Sequence, residues 1–191
     1  RRPASAEWSA EWDQLTASAL ENRPIPLAVT DDVGPVLCRL PRGYELIVPE
    51  PLWRELDTAG RQAILRHELA HYLRGDGWKS LALRGLALPH WFNPVSWLAL
   101  RRFDEAAEWA CDQAASGDVP ATDYAKVLVQ LGQQPRAFGY GSAARGSYLA
   151  RRVRRLLAGP TREDSTMKKG LLLAAAICVV AASTVQFSLV A

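Results

Sequence analysis

Residues 57–77 read DTAGRQAILRHELAHYLRGDG, and this stretch decides the fold. Ile64, Leu65, Leu69 and Tyr72 recur at helical spacing. Asp57 or Thr58 can cap the start, and Gly75 and Gly77 can end it. His67 and His71 stand at i and i+4, so on a helix their imidazoles share one face. Glu68 is turned away from that face by roughly a third of a turn.

Two imidazoles so placed can bind one Zn²⁺, with the glutamate in reach of a water at the ion. Zinc acidifies that water, and Glu68 can take its proton during attack on a peptide carbonyl. The competing reading is a pair of structural histidines on a buried helix. The full HExxH pattern in a helical context favours the metal.

A catalytic zinc keeps three protein ligands and one open position, so a third ligand must come from elsewhere. The metzincin extension needs Gly at 74 and His at 77; the chain has Arg74 and Gly77, which excludes it. Two candidates remain. One is a carboxylate on the predicted helix RRFDEAAEWACDQAAS (101–116), which offers Asp104, Glu105, Glu108 and Asp112. Glu108 and Asp112 share a face, so one can bind metal while the other orients a ligand histidine. The other candidate is His90, the remaining histidine. Spacing favours Glu108 over His90, because two histidines and a glutamate are a known catalytic set.

Upstream, Pro and Gly punctuate three short apolar runs, IPLAV (25–29), VLCRL (36–40) and YELIV (44–48). The turn between the last two predicts a hairpin, and the three runs a small antiparallel sheet before the HExxH helix. Residues 4–20 look helical, with Trp8, Trp12 and Leu15 on one face. Residues 79–100 are apolar but broken by Arg84, Pro89 and Pro94, which suits a core element or one lying against a membrane. Further helices are predicted from Val95 or Leu98 to Ser116, over 121–133, and over 142–158. The fold class is α+β and mainly helical.

From Gly170 to Ala191 there is no charged residue. As a helix that tail would span about 33 Å, near the roughly 30 Å of a bilayer's hydrocarbon core. The expected organisation is a zinc-peptidase domain over 1–158, a basic linker over 159–169 and a transmembrane helix over 170–191. Arginines and lysines between Arg145 and Lys169 outnumber Glu163 and Asp164, which places the first 169 residues in the cytoplasm. A net charge of +3 and the lack of a reading helix or zinc-finger spacing give no case for direct nucleic-acid binding. Cys38, Cys111 and Cys178 are odd in number and widely spaced, which suits free thiols in a reducing compartment.

HELAHYLRGD (67–76), HWFNP (90–94) and EWACDQAA (108–115), in that order, resemble the antibiotic-sensor peptidases, the membrane β-lactam sensor-transducers of BlaR/MecR type and their relatives. The lead-in PVLCRLPRGYELIVPEPLWREL (35–56) is similar too. The resemblance implies a gluzincin-like fold with His67, His71 and Glu108 as zinc ligands. It also implies Glu68 as general base and Asp112 as the residue that orients a ligand. It leaves His90 open between a substrate or oxyanion contact and simple packing. The implied partners are a protein substrate, a cytoplasmic repressor in the best-known relatives, and membrane lipid at a bacterial inner membrane; homo-oligomerisation stays open. The family usually has several membrane spans and often an outer sensor domain, whereas these residues show one clear span. Two rival readings are a housekeeping membrane protease of heat-shock or prenyl-processing type, and a metal-stabilised module without catalysis. Self-cleavage in the arginine-rich segment Arg151–Arg155 is a further expectation.

Overall fold

In the computed structural model the described residues are 1–17, 19–20, 24–133 and 142–159. The chain divides into two compact units, Arg1–Leu157 and Ala158–Ala191. Nearly all of the second unit, including the tail 170–191 and most of the linker 159–169, lies outside the described residues.

The first unit begins with β1 (Arg2–Pro3) and α1 (Ala6–Ala17), then β2 (Leu27–Thr30), β3 (Val36–Leu40) and β4 (Gly43–Pro49). The hairpin of β3 and β4 is antiparallel, with Leu37 opposite Leu46. The sheet as a whole is mixed rather than antiparallel. Its order is β1-β2-β4-β3, and β2 runs parallel to β4. The reason is burial. β2 buries Leu27 and Val29, and β4 buries Leu46 and Val48, so these two strands take the centre. β3, which carries Arg39 and no fully buried residue, is left at the edge. To reach that edge the chain crosses past β4 at residues 31–35. There Gly34 has φ +118°, and a Cβ would stand 2.5 Å from the Ile47 carbonyl oxygen, so only glycine fits.

α2 (Glu50–Glu55) follows, then α3 (Thr58–Arg74), the HExxH helix. Asp57 caps α3, its carboxylate accepting from the Gly60 N–H at 2.8 Å, a contact worth about 1 kcal/mol. Gly75 ends it in the left-handed conformation at φ 66°. Ile64 and Leu65 point into a core with Trp12, Trp53, Leu46 and Leu128. Trp12 is held by its indole N–H donating to the Ile25 carbonyl at 2.6 Å. Arg61 fastens α1 to α3 through Glu11 at 3.0 Å and 2.5 Å.

α4 (Asp76–Ala87), a 3-10 turn (Leu88–His90) and the start of α5 (Pro94–Ala115) form a two-helix hairpin. No residue from 77 to 106 is buried, so this apolar stretch is not core. Its prolines do not interrupt helices. Pro94 opens α5, where it has no N–H to leave unpaired, and Pro89 sits in the turn. α6 (Ala121–Gln133) and α7 (Ser142–Ala158) complete the unit. Arg151–Arg155 are helical residues of α7.

Candidate metal centre

α3 and α5 pack along each other, which brings His67 and His71 against Glu108. The His67 and His71 Nε2 atoms are 3.2 Å apart. Glu108 carboxylate oxygens lie 3.7 Å from His67 Nε2 and 3.5 Å from His71 Nε2. Three donors around one tetrahedral ion with bonds of about 2.05 Å are spaced by about 3.3 Å. The set therefore fits a zinc-sized ion, with Nε2 of both rings as donors.

Each ring then needs its other nitrogen fixed, and a carboxylate stands at both. His67 Nδ1 is 3.2 Å from Asp112 Oδ1. His71 Nδ1 is 3.0 Å from Asp76 Oδ2. Donation from Nδ1–H to these carboxylates selects the tautomer that frees Nε2 for metal. Asp76 and Asp112 are both buried. The set His71, Asp76 and Cys111 also has ligand spacing, but it shares His71 and lies on the Nδ1 side of that ring. It reads as support for the first centre.

Asp112 is the hub of a buried network. The Tyr124 hydroxyl donates to it at 2.9 Å and sits 3.1 Å from His67 Nδ1. Arg152 of α7 donates twice, at 2.9 Å and 2.6 Å, and reaches Glu108 at 2.9 Å. Burial opposes the Asp112 charge, but the bonds from His67 and Arg152 win and hold its pKa at about 2. Burial would also raise the Glu108 pKa, yet the contacts with His71 and Arg152 keep it below the usual carboxylate range. The His71 pKa is pushed up to about 11; burial opposes this, and the Cys111 and Glu108 contacts outweigh it. An ion entering there displaces a proton.

Glu68 lies next to the ligands. Burial raises its pKa, partly offset by His67 and His71, and the Leu37 backbone of edge strand β3 hydrogen-bonds to it. A carboxyl with raised pKa suits a group that must accept a proton and give it back.

The structure thus brings together His67, Glu68, His71, Glu108 and Asp112. It does not bring His90 there. His90 is exposed in the turn of the hairpin, its carbonyl accepting from the Asn93 N–H at 2.9 Å. Three residues that the sequence reading passed over belong to the centre, Asp76, Tyr124 and Arg152. Only Asp76 left a local signal, five residues past His71 in HELAHYLRGD.

A HExxH helix with a glutamate from a neighbouring helix, each histidine backed by a carboxylate, defines a metallopeptidase centre. The family model described as BlaR1 peptidase M56 matches residues 9–156, and the chain belongs to that family. No curated protein matches the chain.

Proposed function

We propose that this chain is a zinc endopeptidase that cuts a cytoplasmic protein at a membrane, in regulated proteolysis. The observation that carries the reading is the mutual 3.2–3.7 Å spacing of the His67, His71 and Glu108 donors. His67, His71 and Glu108 would hold a zinc ion, which would supply an acidified water and polarise the substrate carbonyl. Glu68 accepts the proton of the attacking water and passes it to the leaving amine. Asp112 and Asp76 hold the two imidazoles in the ligating tautomer. Arg152 and Tyr124 hold Asp112.

The membrane part of the reading rests on the uncharged segment 170–191 and the basic residues before it. Among the described residues no helix is long and apolar enough to cross a membrane. A repressor as substrate rests on the family resemblance.

Element analysis and peptide cleavage on the detergent-purified chain test the reading. The expected result is about one zinc per chain, lost in Glu108→Ala, and cleavage abolished in Glu68→Ala with zinc kept. A well-folded wild type without zinc or cleavage overturns it. Capture on the Glu68→Ala chain then separates substrates: one transcription regulator fits signalling, and a broad set of damaged membrane proteins fits housekeeping.

A further inference from the structure

The hairpin of α4 and α5 shows a surface that water does not favour. Leu86 is 73% exposed, and Trp91 and Phe92 are each 69% exposed. Leu81, Leu88, Val95, Trp97 and Leu98 are more than half exposed as well. Contiguous apolar surface of this kind marks a contact with a partner or a membrane. Residues 85–100, GLALPHWFNPVSWLAL, contain no Asp, Glu, Lys or Arg.

Basic residues bound this stretch, Lys79 and Arg84 on α4 and Arg101 and Arg102 on α5. Arg84 pairs with Asp104 and Arg102 with Glu105, which among the described residues leaves Lys79 and Arg101 as excess positive charge. An apolar tip with a basic collar complements a bilayer with anionic headgroups.

The turn backbone and the Trp97 indole find hydrogen-bond partners within the tip. The Trp97 indole N–H donates to the Trp91 carbonyl at 2.6 Å. The Asn93 side chain accepts from the Val95 N–H at 2.9 Å, and the Asn93 N–H donates to the His90 carbonyl at 2.9 Å. The Trp91 N–H donates to the Leu88 carbonyl at 3.3 Å. Pro89 and Pro94 have no N–H to satisfy. Internal pairing is what a segment needs before it leaves water.

The dimensions agree. From Pro94 to Leu100 the helix rises about 10 Å. Interfacial elements bury about 5–10 Å into the headgroup and acyl boundary, far less than the roughly 30 Å of a span.

We propose that the hairpin tip, residues 85–100, inserts into the surface of an anionic bilayer and docks the domain there, independently of segment 170–191. One consequence rests on the peptidase reading. α4 starts five residues after His71, and α5 carries Glu108 about 10 Å of helix rise beyond Arg101. The docked hairpin therefore holds the metal centre close to the lipid surface and selects peptide segments that lie near it.

The test reads the tip itself, because segment 170–191 can hold the chain in a vesicle whatever the hairpin does. The full chain is reconstituted into phosphatidylcholine/phosphatidylglycerol vesicles whose acyl chains carry bromine, a quencher of indole emission. Wild type minus Trp91→Phe gives the Trp91 signal. Insertion predicts that brominated lipid removes most of that signal, and that it returns in Phe92→Asp, where a charge is set on the tip. Phe92 is mostly exposed, so that variant keeps its fold, checked by circular dichroism. Weaker quenching in pure phosphatidylcholine supports the basic collar; equal quenching overturns that part. An unquenched Trp91 signal in both vesicles overturns the proposal and assigns the surface to a protein partner or a second copy. No cleavage is read, so failure of the peptidase reading leaves this result intact.

Discussion

α5 is one unbroken helix with two opposite kinds of surface. Toward its start, Val95, Trp97 and Leu98 face outward, all more than half exposed. Toward its end, Asp112 is buried beside Cys111 and Ala115, and Glu108 is mostly covered. The usual sorting of apolar residues inward and charges outward is reversed at both ends. Each reversal costs stability unless something compensates, so each marks a place shaped by function. At the site end the compensation is visible, in Arg152, Tyr124 and His67 around Asp112. At the hairpin end no described residue supplies the compensation.

Replacing Glu68 has the largest expected effect and touches the site end of α5 alone. Glu68→Gln is expected to lower kcat/KM by about 10²–10⁴-fold, the usual contribution of a proton-transferring side chain. Zinc content stays the same. A tip variant such as Phe92→Asp keeps activity on a short soluble peptide, which meets the metal centre without the membrane. Equal losses in both variants would mean that the two ends of α5 are not separate in function.

Next in size is Asp112→Ala. It leaves the mostly covered Arg152 guanidinium without its bidentate partner, and removing one member of a buried pair costs about 3–5 kcal/mol. A denaturant titration that finds a loss under 1 kcal/mol, far below the cited range, would show that the network is better solvated than its burial implies. Asp76→Asn acts on the ion instead. Substituting a carboxylate that orients a ligand histidine weakens metal affinity by about 10–100-fold, read by competition with a chelator. An unchanged affinity would remove Asp76 from the centre.

The site end was largely legible in the sequence and the hairpin end was not. HExxH, the Asp57 cap and the Gly75 stop are local signals, set within a few residues of one another. The helices over 121–133 and 142–158 likewise coincide with α6 and α7. Parallel pairing of β2 with β4 is non-local, and no single strand carries a sign of it. Tyr124 and Arg152 reach Asp112 from helices far along the chain, so only packing shows them. In the hairpin, Pro89 and Pro94 read as breaks, yet they shape a turn and open a helix. Exposure was the missing quantity: a core stretch and a surface stretch of this composition look alike until their neighbours are known.

The smallest expected effect is also the one that isolates the hairpin. Trp53 and Trp91 are the same residue in opposite settings, 0% and 69% exposed. Trp53→Ala removes a ring from the core and is expected to cost about 3–5 kcal/mol. Trp91→Ala removes a mostly exposed ring, its one ring contact among the described residues being edge-on to Phe92 at 6.2 Å. The backbone carbonyl that holds Trp97 remains. Its effect on unfolding in detergent is therefore expected within about 0.5 kcal/mol, as for surface sites generally. A loss near that of Trp53 would show that Trp91 packs against something that its exposure in the lone chain hides. A near-zero loss, joined to quenching of the wild-type Trp91 emission by brominated lipid, would place the value of this side chain outside the folded domain.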